Sequence, residues 1–377
     1  MEKGNLRTRL LPTPARRHEI NQGGDDVGAS ELRRITLSLM RGEDLNRTQA
    51  AQFLDALLDV RASDVQIAAA LALLAVKGET VAELAGMAEA MVERALPVQS
   101  QHERFIDTAG TGSSATKTFN VPTVAAFVIA GAGLAVAKHG ARAATSRSGS
   151  ADVLEALGVN TAASRKTVER CLNEHGICFM FAPRFHSATA RVMQVRRQLG
   201  VHTTFNLLGP LTNPARAPFR LVGVWHPSLV EKMAAALGLI GVQNAWVVHG
   251  LDGLDEVTLN GETLVAAPDR RDRNSSTTHT FTVTPGNFGV PPRAIDQFCG
   301  GNSQENARLI CAILQNGESN DLAGARDLVI VNAAAALHLA GVTANLREAA
   351  ELARESIASG SAAGKLEALV RETNRDE

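Results

Sequence analysis

The 377-residue chain is long enough for one large domain and a smaller one, and its 45% hydrophobic and 20% charged residues are an ordinary globular balance. A formal net charge of -1 excludes bulk attraction to nucleic acid or anionic membrane; a polyanion would need a local basic patch. The cysteines, Cys171, Cys178, Cys299 and Cys311, form no CxxC pair, which argues against a disulfide framework or a compact zinc site and for buried free thiols in a reducing, cytoplasmic compartment.

Residues 1–28 carry several arginines but no apolar core of a signal sequence, and they read as a disordered tail. From residue 29 to 96 apolar residues recur at three and four, as in "AAQFLDALLDV" and "QIAAALALLAVKGETVAELAGMAEAMVERAL". This predicts a helical domain, with Thr48 and Ser63-Asp64 as helix caps. After Pro97 the pattern changes. "FIDTAGTGSS" reads as a strand entering a Gly-rich turn, "VPTVAAFVIAGAG" as a buried helix, and "LAVAKHG" as a second strand. "ADVLEALGV" is a helix, and "ICFMFAP", "FRLVGVW" and "NAWVVHG" are strands. Alternation of this kind predicts a mostly parallel sheet covered by helices, with its active loops at the carboxyl ends of the strands. "RRDRNSSTTHT" reads as a polar connection, and the helices from "DLVIVNAAAALHLAG" onward cover the sheet. The apolar run 121–136 is rich in Gly and Ala and stops at Lys138, so it suits a buried helix rather than a membrane span.

Several loops carry chemistry. "DTAGTGSSATKTFN" ends a strand in Gly110-Thr111-Gly112 and continues through Ser113 and Ser114 toward a helix, a pattern that lets backbone N–H groups and hydroxyls meet phosphate. "KHGARAATSRSGS" sets Lys138, His139 and Arg142 beside Ser146, Ser148 and Ser150, again suited to an anion. "VVHGLDGLDEVTL" presents Asp255 and Glu256, hard oxygen ligands for Mg²⁺ on a polyphosphate. In "QVRRQLGVHTTFNLLGPLTNPA" an arginine could pair with a carboxylate, but spacing alone does not choose between Arg196 and Arg197.

Together "SGSADVLEALG", "RRQLGVHTTFNLLGPLTNPA", "VVHGLDGLDE" and the Lys-His-Gly-x-Arg string resemble the anthranilate phosphoribosyltransferases of tryptophan biosynthesis, from about residue 29 to the C-terminus. The resemblance implies a small helical domain, 29–96, borrowing a segment near 187–200, and an α/β domain, 97–377, of the nucleoside phosphorylase and phosphoribosyltransferase type. It implies a homodimer formed through the helical part, and transfer of phosphoribose from phosphoribosyl pyrophosphate to an aromatic amine with Mg²⁺ as cofactor. Phosphoribosyl pyrophosphate would then meet Gly110, Thr111, Gly112, Ser113, Ser114, Thr118, Asn120, Thr123, Lys138, His139, Gly140, Arg142, Ser146 and Ser150. The acceptor would meet Gly110, Ala141, His186 and Arg196, and the metal Asp255 and Glu256.

The chain departs from the family pattern near the substrates. Ser113-Ser114-Ala115 stands where the family reads Gly-Asp-Gly, and Pro122 where it has a serine. Ala141 stands where it keeps an acceptor-contacting asparagine. These changes leave open a different aromatic acceptor, or a non-catalytic, nucleic-acid-binding relative, which the near-zero net charge disfavours.

Overall fold

The computed structural model describes residues 27–112, 118–143, 147–269, 276–294, 300–317 and 320–375. Ser113, Ser114, Ser146 and Cys299 lie outside the described residues, as do residues 1–26 of the expected tail and 270–275 of the polar connection.

The chain opens with α1 (Val27–Met40), α2 (Arg47–Leu58), α3 (Asp64–Lys77) and α4 (Val81–Glu93). Capping boxes start α2 to α4: Asn46 with Gln49, Ser63 with Gln66, and Thr80 with Glu83. Each satisfies two otherwise orphaned helix donors. Thr48, expected as a cap, lies inside α2, because Asn46 Oδ1 already accepts the Gln49 N–H at 2.9 Å.

Next come β1 (Phe105–Gly110), α5 (Val121–Gly131), β2 (Ala135–Gly140), α6 (Ser150–Ala156), α7 (Arg165–His175) and β3 (Ile177–Phe181). A helical segment follows: α8 (Ala182–Phe185), α9 (Ala190–Leu199) and α10 (Phe205–Leu211). Then β4 (Phe219–Gly223), α11 (Leu229–Leu239), β5 (Asn244–Gly250), β6 (Thr263–Pro268) and β7 (Thr278–Val283) complete the sheet. The chain closes with α12 (Ser303–Leu314), α13 (Asn320–Leu339), α14 (Leu346–Ala358) and α15 (Ser361–Thr373).

The seven strands lie in the order β3-β2-β1-β4-β5-β6-β7. Strands β1 to β5 run parallel, and β6 and β7 are antiparallel additions. Thr278 to Thr280, expected in a polar connection, therefore belong to edge strand β7. Side chains alternate between the sheet's faces. Leu221, Trp246 and Val248 join a core with α5, α7 and α12 to α15. Val222, Ala245 and Val247 join a second core that also contains α1 to α4, α9, α10 and α11. The helical bundle thus shares its core with one face of the sheet. Helix α9 packs on α2 and α3, and Arg191 of α9 pairs with Asp64 at 2.8 Å.

The segment Leu322–Leu339 is long and apolar enough to cross a bilayer, but 72% of it is buried inside the protein as a core helix. Cys171 and Cys178 are buried free thiols, and Cys311 is half-buried and free.

Candidate active site

The loops singled out in the sequence gather at the carboxyl edge of the parallel strands. Gly110 and Gly223 end β1 and β4 as register partners. The Asp255 segment lies directly across Gly223: a Cβ there would sit 1.5 Å from the Asp255 carbonyl oxygen. A Cβ on Gly110 would come 3.2 Å from Asp255 Oδ2. Glycine at both strand ends lets backbone approach backbone and seats the acidic pair. Thr111 ties the same corner, its N–H donating to Gly223 O at 2.9 Å. The hydroxyl of Thr118 donates to both Glu256 carboxylate oxygens, at 3.0 and 3.2 Å. Glu256 is buried, and desolvation, reinforced by Asp255, pushes its pKa up to about 8.

At β2 the strand expected from "LAVAKHG" is present: Lys138, His139 and Gly140 are its last residues, and the loop itself begins at Ala141. Lys138 is buried, and its ammonium donates to the Thr108 carbonyl on the neighbouring strand. Burial lowers its pKa to about 8, with Asp107 opposing the shift. Asp107 is anchored in turn by the His139 N–H at 3.1 Å and by Asn213 Nδ2 at 2.7 Å.

Asn120 caps the start of α5 in a left-handed conformation, φ 64°. That geometry is tolerated best by Gly and Asn. Its amide donates to Ser148 O at 3.0 Å and accepts from Asn306 at 2.9 Å, joining the first loop to the second. Pro122 falls in the first turn of α5, where no N–H is needed, so the helix tolerates it. Thr123 is buried in that turn. Ser150 begins α6, its hydroxyl donating to Ala141 O at 3.3 Å. Arg142 leaves this group: its exposed guanidinium pairs with Asp152 and Glu155 on α6.

The helical segment supplies the other end. Arg196 donates from Nε to Thr203 Oγ1 and from Nη2 to Asn206 Oδ1, both at 2.8 Å, and lies over the Phe205 ring. Burial lowers its pKa to about 10, so it stays charged. Arg197 is exposed, and the structure separates two arginines that spacing could not. His139 Nδ1 meets Gly209 O at 3.2 Å, and His186 Nε2 meets Thr212 O at 3.0 Å. The two imidazoles touch edge to face, with centroids 5.1 Å apart. Burial lowers their pKa values to about 4 and about 3, so both are neutral near pH 7. Nε2 of His139 is buried without a hydrogen-bond partner.

Sequence reasoning missed the residues that hold these groups: Asp107, Asn213, Thr203, Asn206, and Glu79, which accepts from Thr204 at 2.6 Å. The segment "HTTFNLLGPLTNP" contains most of them, and its buried polar residues were the available signal. Among the described residues there is no cluster of three or more His, Cys, Asp or Glu that could hold a metal.

The glycosyl transferase family's helical bundle domain matches residues 33–95, and its a/b domain matches residues 102–363. The anthranilate phosphoribosyltransferase of Moorella thermoacetica is 46% identical over 332 residues, 88% of this chain and 95% of that protein. That of Anaeromyxobacter dehalogenans is 46% identical over 335 residues, 89% and 96%. The crystal structure of the Thermus thermophilus enzyme matches with a TM-score of 0.82 at 39% identity, covering 90% of this chain and 99% of that one. The Saccharomyces cerevisiae enzyme, in complex with PRPP and Mg, matches with a TM-score of 0.81 at 28% identity, covering 91% and 98%.

Proposed function

The chain belongs to the family of anthranilate phosphoribosyltransferases, and from that premise we propose how its residues share the reaction. It is a glycosyltransferase of tryptophan biosynthesis: it moves phosphoribose from phosphoribosyl pyrophosphate to the amine of anthranilate, giving N-(5-phosphoribosyl)anthranilate and pyrophosphate. The bond from C1 to pyrophosphate breaks, the amine nitrogen bonds to C1, and the amine loses a proton. Positive charge grows on the ribose between these events, so the site must neutralise pyrophosphate without crowding cations against the sugar.

We assign phosphoribosyl pyrophosphate to the ends of β1 and β2, residues 110–123 and 138–150, and anthranilate to the corner between Arg196 and the paired imidazoles. Arg196, held by Thr203 and Asn206, offers a fixed fork to the anthranilate carboxylate. Orientation of the amine toward C1 follows from that anchor. Neutral His139 and His186 can accept a hydrogen bond yet add no charge opposing the sugar. The acidic pair suits Mg²⁺: both ligands are hard carboxylates, and Glu256 sits in a buried place where its charge is costly until a cation offsets it. Bound Mg²⁺ would supply positive charge to the departing pyrophosphate. Asp255 and Glu256 would hold it, with Thr118 orienting Glu256.

The observation that carries this reading is the seating of Asp255 on Gly110 and Gly223 beside the Thr118–Glu256 bond, at the edge that also gathers Asn120 and Ser150. Following anthranilate fluorescence with saturating phosphoribosyl pyrophosphate and Mg²⁺ tests it: the signal should fall, and an unchanged signal overturns the assignment. Ala141 supports a second reading, a substituted anthranilate as the preferred acceptor, because its exposed methyl offers no hydrogen bond to the ring.

A homodimer is proposed through the helical face, where Leu37 and Met40 of α1 and Val65 and Val76 of α3 are exposed apolar side chains on two packed helices. We propose 29–96 and 97–377 as the domain bounds and a cytoplasmic location, which the free cysteines suit.

A further inference from the structure

At the opposite edge of the sheet, a cavity of about 350 Å³ opens between α4 and the amino ends of β4 and β5. It is large enough for a small organic molecule. Its two walls belong to different parts of the chain: Glu89 and Glu93 of α4 face Arg216, just before β4, and Arg220 of β4.

The cationic wall has unused capacity. Arg220 is 3% exposed, and it donates from Nη1 to Pro210 O at 2.8 Å and from Nε to Ala217 O at 3.4 Å. Its Nη2 has no partner among the described residues. Its cross-strand neighbour Asp107 already receives His139 and Asn213 and also faces Lys138, so two buried cations share one carboxylate. Arg216 is exposed and holds a left-handed backbone, φ 53°. Its guanidinium makes no hydrogen bond or ion pair among the described residues. An arginine in a conformation that glycine adopts more cheaply is an outlier whose side chain is a candidate for use.

The acidic wall is half neutralised. Arg47 grips Glu89 through both carboxylate oxygens and donates onward to Leu239 O at 2.8 Å. Glu93 has no ion-pair partner among the described residues. A ligand that satisfies both walls carries an anion at one end and a hydrogen-bond donor at the other. Guanidinium groups, one buried and one exposed here, favour a carboxylate, and a carboxylate facing them across the cavity favours an ammonium.

We propose that this cavity binds a small amino carboxylate, its carboxylate on Arg216 and Arg220 and its amine toward Glu93, bridging α4 to the sheet. The site is separate from the catalytic edge, and the proposal stands apart from the function assigned there.

Titration calorimetry of the full chain with 4-aminobutanoate, 5-aminopentanoate and 6-aminohexanoate tests it, with hexanoate as the probe lacking an amine. At least one amino acid should bind saturably and more tightly than hexanoate. Arg216→Gly, which suits the backbone and keeps the fold, should weaken it about tenfold or more, and Arg216→Lys should weaken it less. Glu93→Gln should erase the preference over hexanoate. Arg196→Ala should leave binding intact. Absence of saturable binding up to about 10 mM for every probe overturns the proposal. So does binding that survives Arg216→Gly, that is lost in Arg196→Ala, or that shows no preference for the amine.

Discussion

The two ends of the catalytic edge, to which we assign the acceptor and the metal, are built differently. The acceptor end is a clasp of side chains: Arg196 is steered by Thr203 and Asn206 through single hydrogen bonds over the Phe205 ring. The metal end is a wedge of backbone: the Asp255 segment rests on Gly223 at a distance that admits no side chain at all. A clasp loses function in steps as its bonds are removed, whereas a wedge tolerates no increment. The contrast assigns affinity for the acceptor to adjustable side chains and placement of the acidic pair to the strand ends.

The sharpest way to break this contrast is Gly223→Ala. The new Cβ would meet the Asp255 carbonyl oxygen at 1.5 Å, so either the strand end or the acidic loop must move. We expect a destabilisation of about 3 kcal/mol and a loss of kcat beyond about a thousandfold, read by denaturant unfolding and by the fluorescence assay. A folded variant with near-normal kcat would show that the wedge does not set the carboxylates.

Next in size is the pH dependence of the buried lysine behind the first two loops. The pKa of Lys138 is lowered from 10.5 to about 8 by burial. Below 8 both folded and unfolded chains carry the ammonium, and the burial penalty is fully present. Between 8 and 10.5 the unfolded chain binds the proton that the folded chain has released, so stability rises with pH over that window. The rise should amount to about 3 kcal/mol in the wild type and vanish in Lys138→Met. Equal pH profiles for the two proteins would mean that Lys138 is not the titrating group.

The clasp is tested by Asn206→Ala, which removes an acceptor from Arg196 Nη2 and from the Thr203 N–H. A hydrogen bond to a charged group contributes about 1.5–3 kcal/mol, so KM for anthranilate should rise about tenfold or more while kcat holds within a few-fold. An equal fall in kcat would transfer the wedge's behaviour to the clasp and end the distinction.

These two constructions also differ in how far the sequence discloses them. The β1–α5–β2 succession is readable because apolar runs end at Gly110 and Gly140, and its loops fall at the carboxyl edge as parallel sheets require. The long "FNLLGPLTNP" string marks the proposed acceptor end, yet spacing leaves Arg196 and Arg197 equivalent; packing half-buries the first and exposes the second. Gly223 carries no signal in one dimension, because the segment it accommodates is remote in the chain and the contact is backbone to backbone. Edge strand β7 escapes for the opposite reason: His279 and Thr280 are exposed and polar, so no buried periodicity marks it. Lys138 reads from the sequence as a cation at the end of a strand, suited to an anion, and only the three-dimensional packing of β2 discloses its burial.

The smallest expected effect refines the acceptor end most. Ala141 is exposed, and its carbonyl already accepts the Ala151 N–H at 3.2 Å and the Ser150 hydroxyl at 3.3 Å. The backbone at this point is therefore held whatever side chain it bears, and Ala141→Asn adds an amide without redrawing the loop. If anthranilate is the acceptor, one added neutral hydrogen bond of about 1 kcal/mol should lower its KM about fivefold and leave kcat and stability nearly unchanged. If a substituted anthranilate is preferred, the wild type should favour the larger ring in competition, and the asparagine should raise that ring's KM by occupying the space the methyl leaves. Measuring both KM values in both proteins separates a clasp that merely lacks one bond from a clasp cut for a different ring.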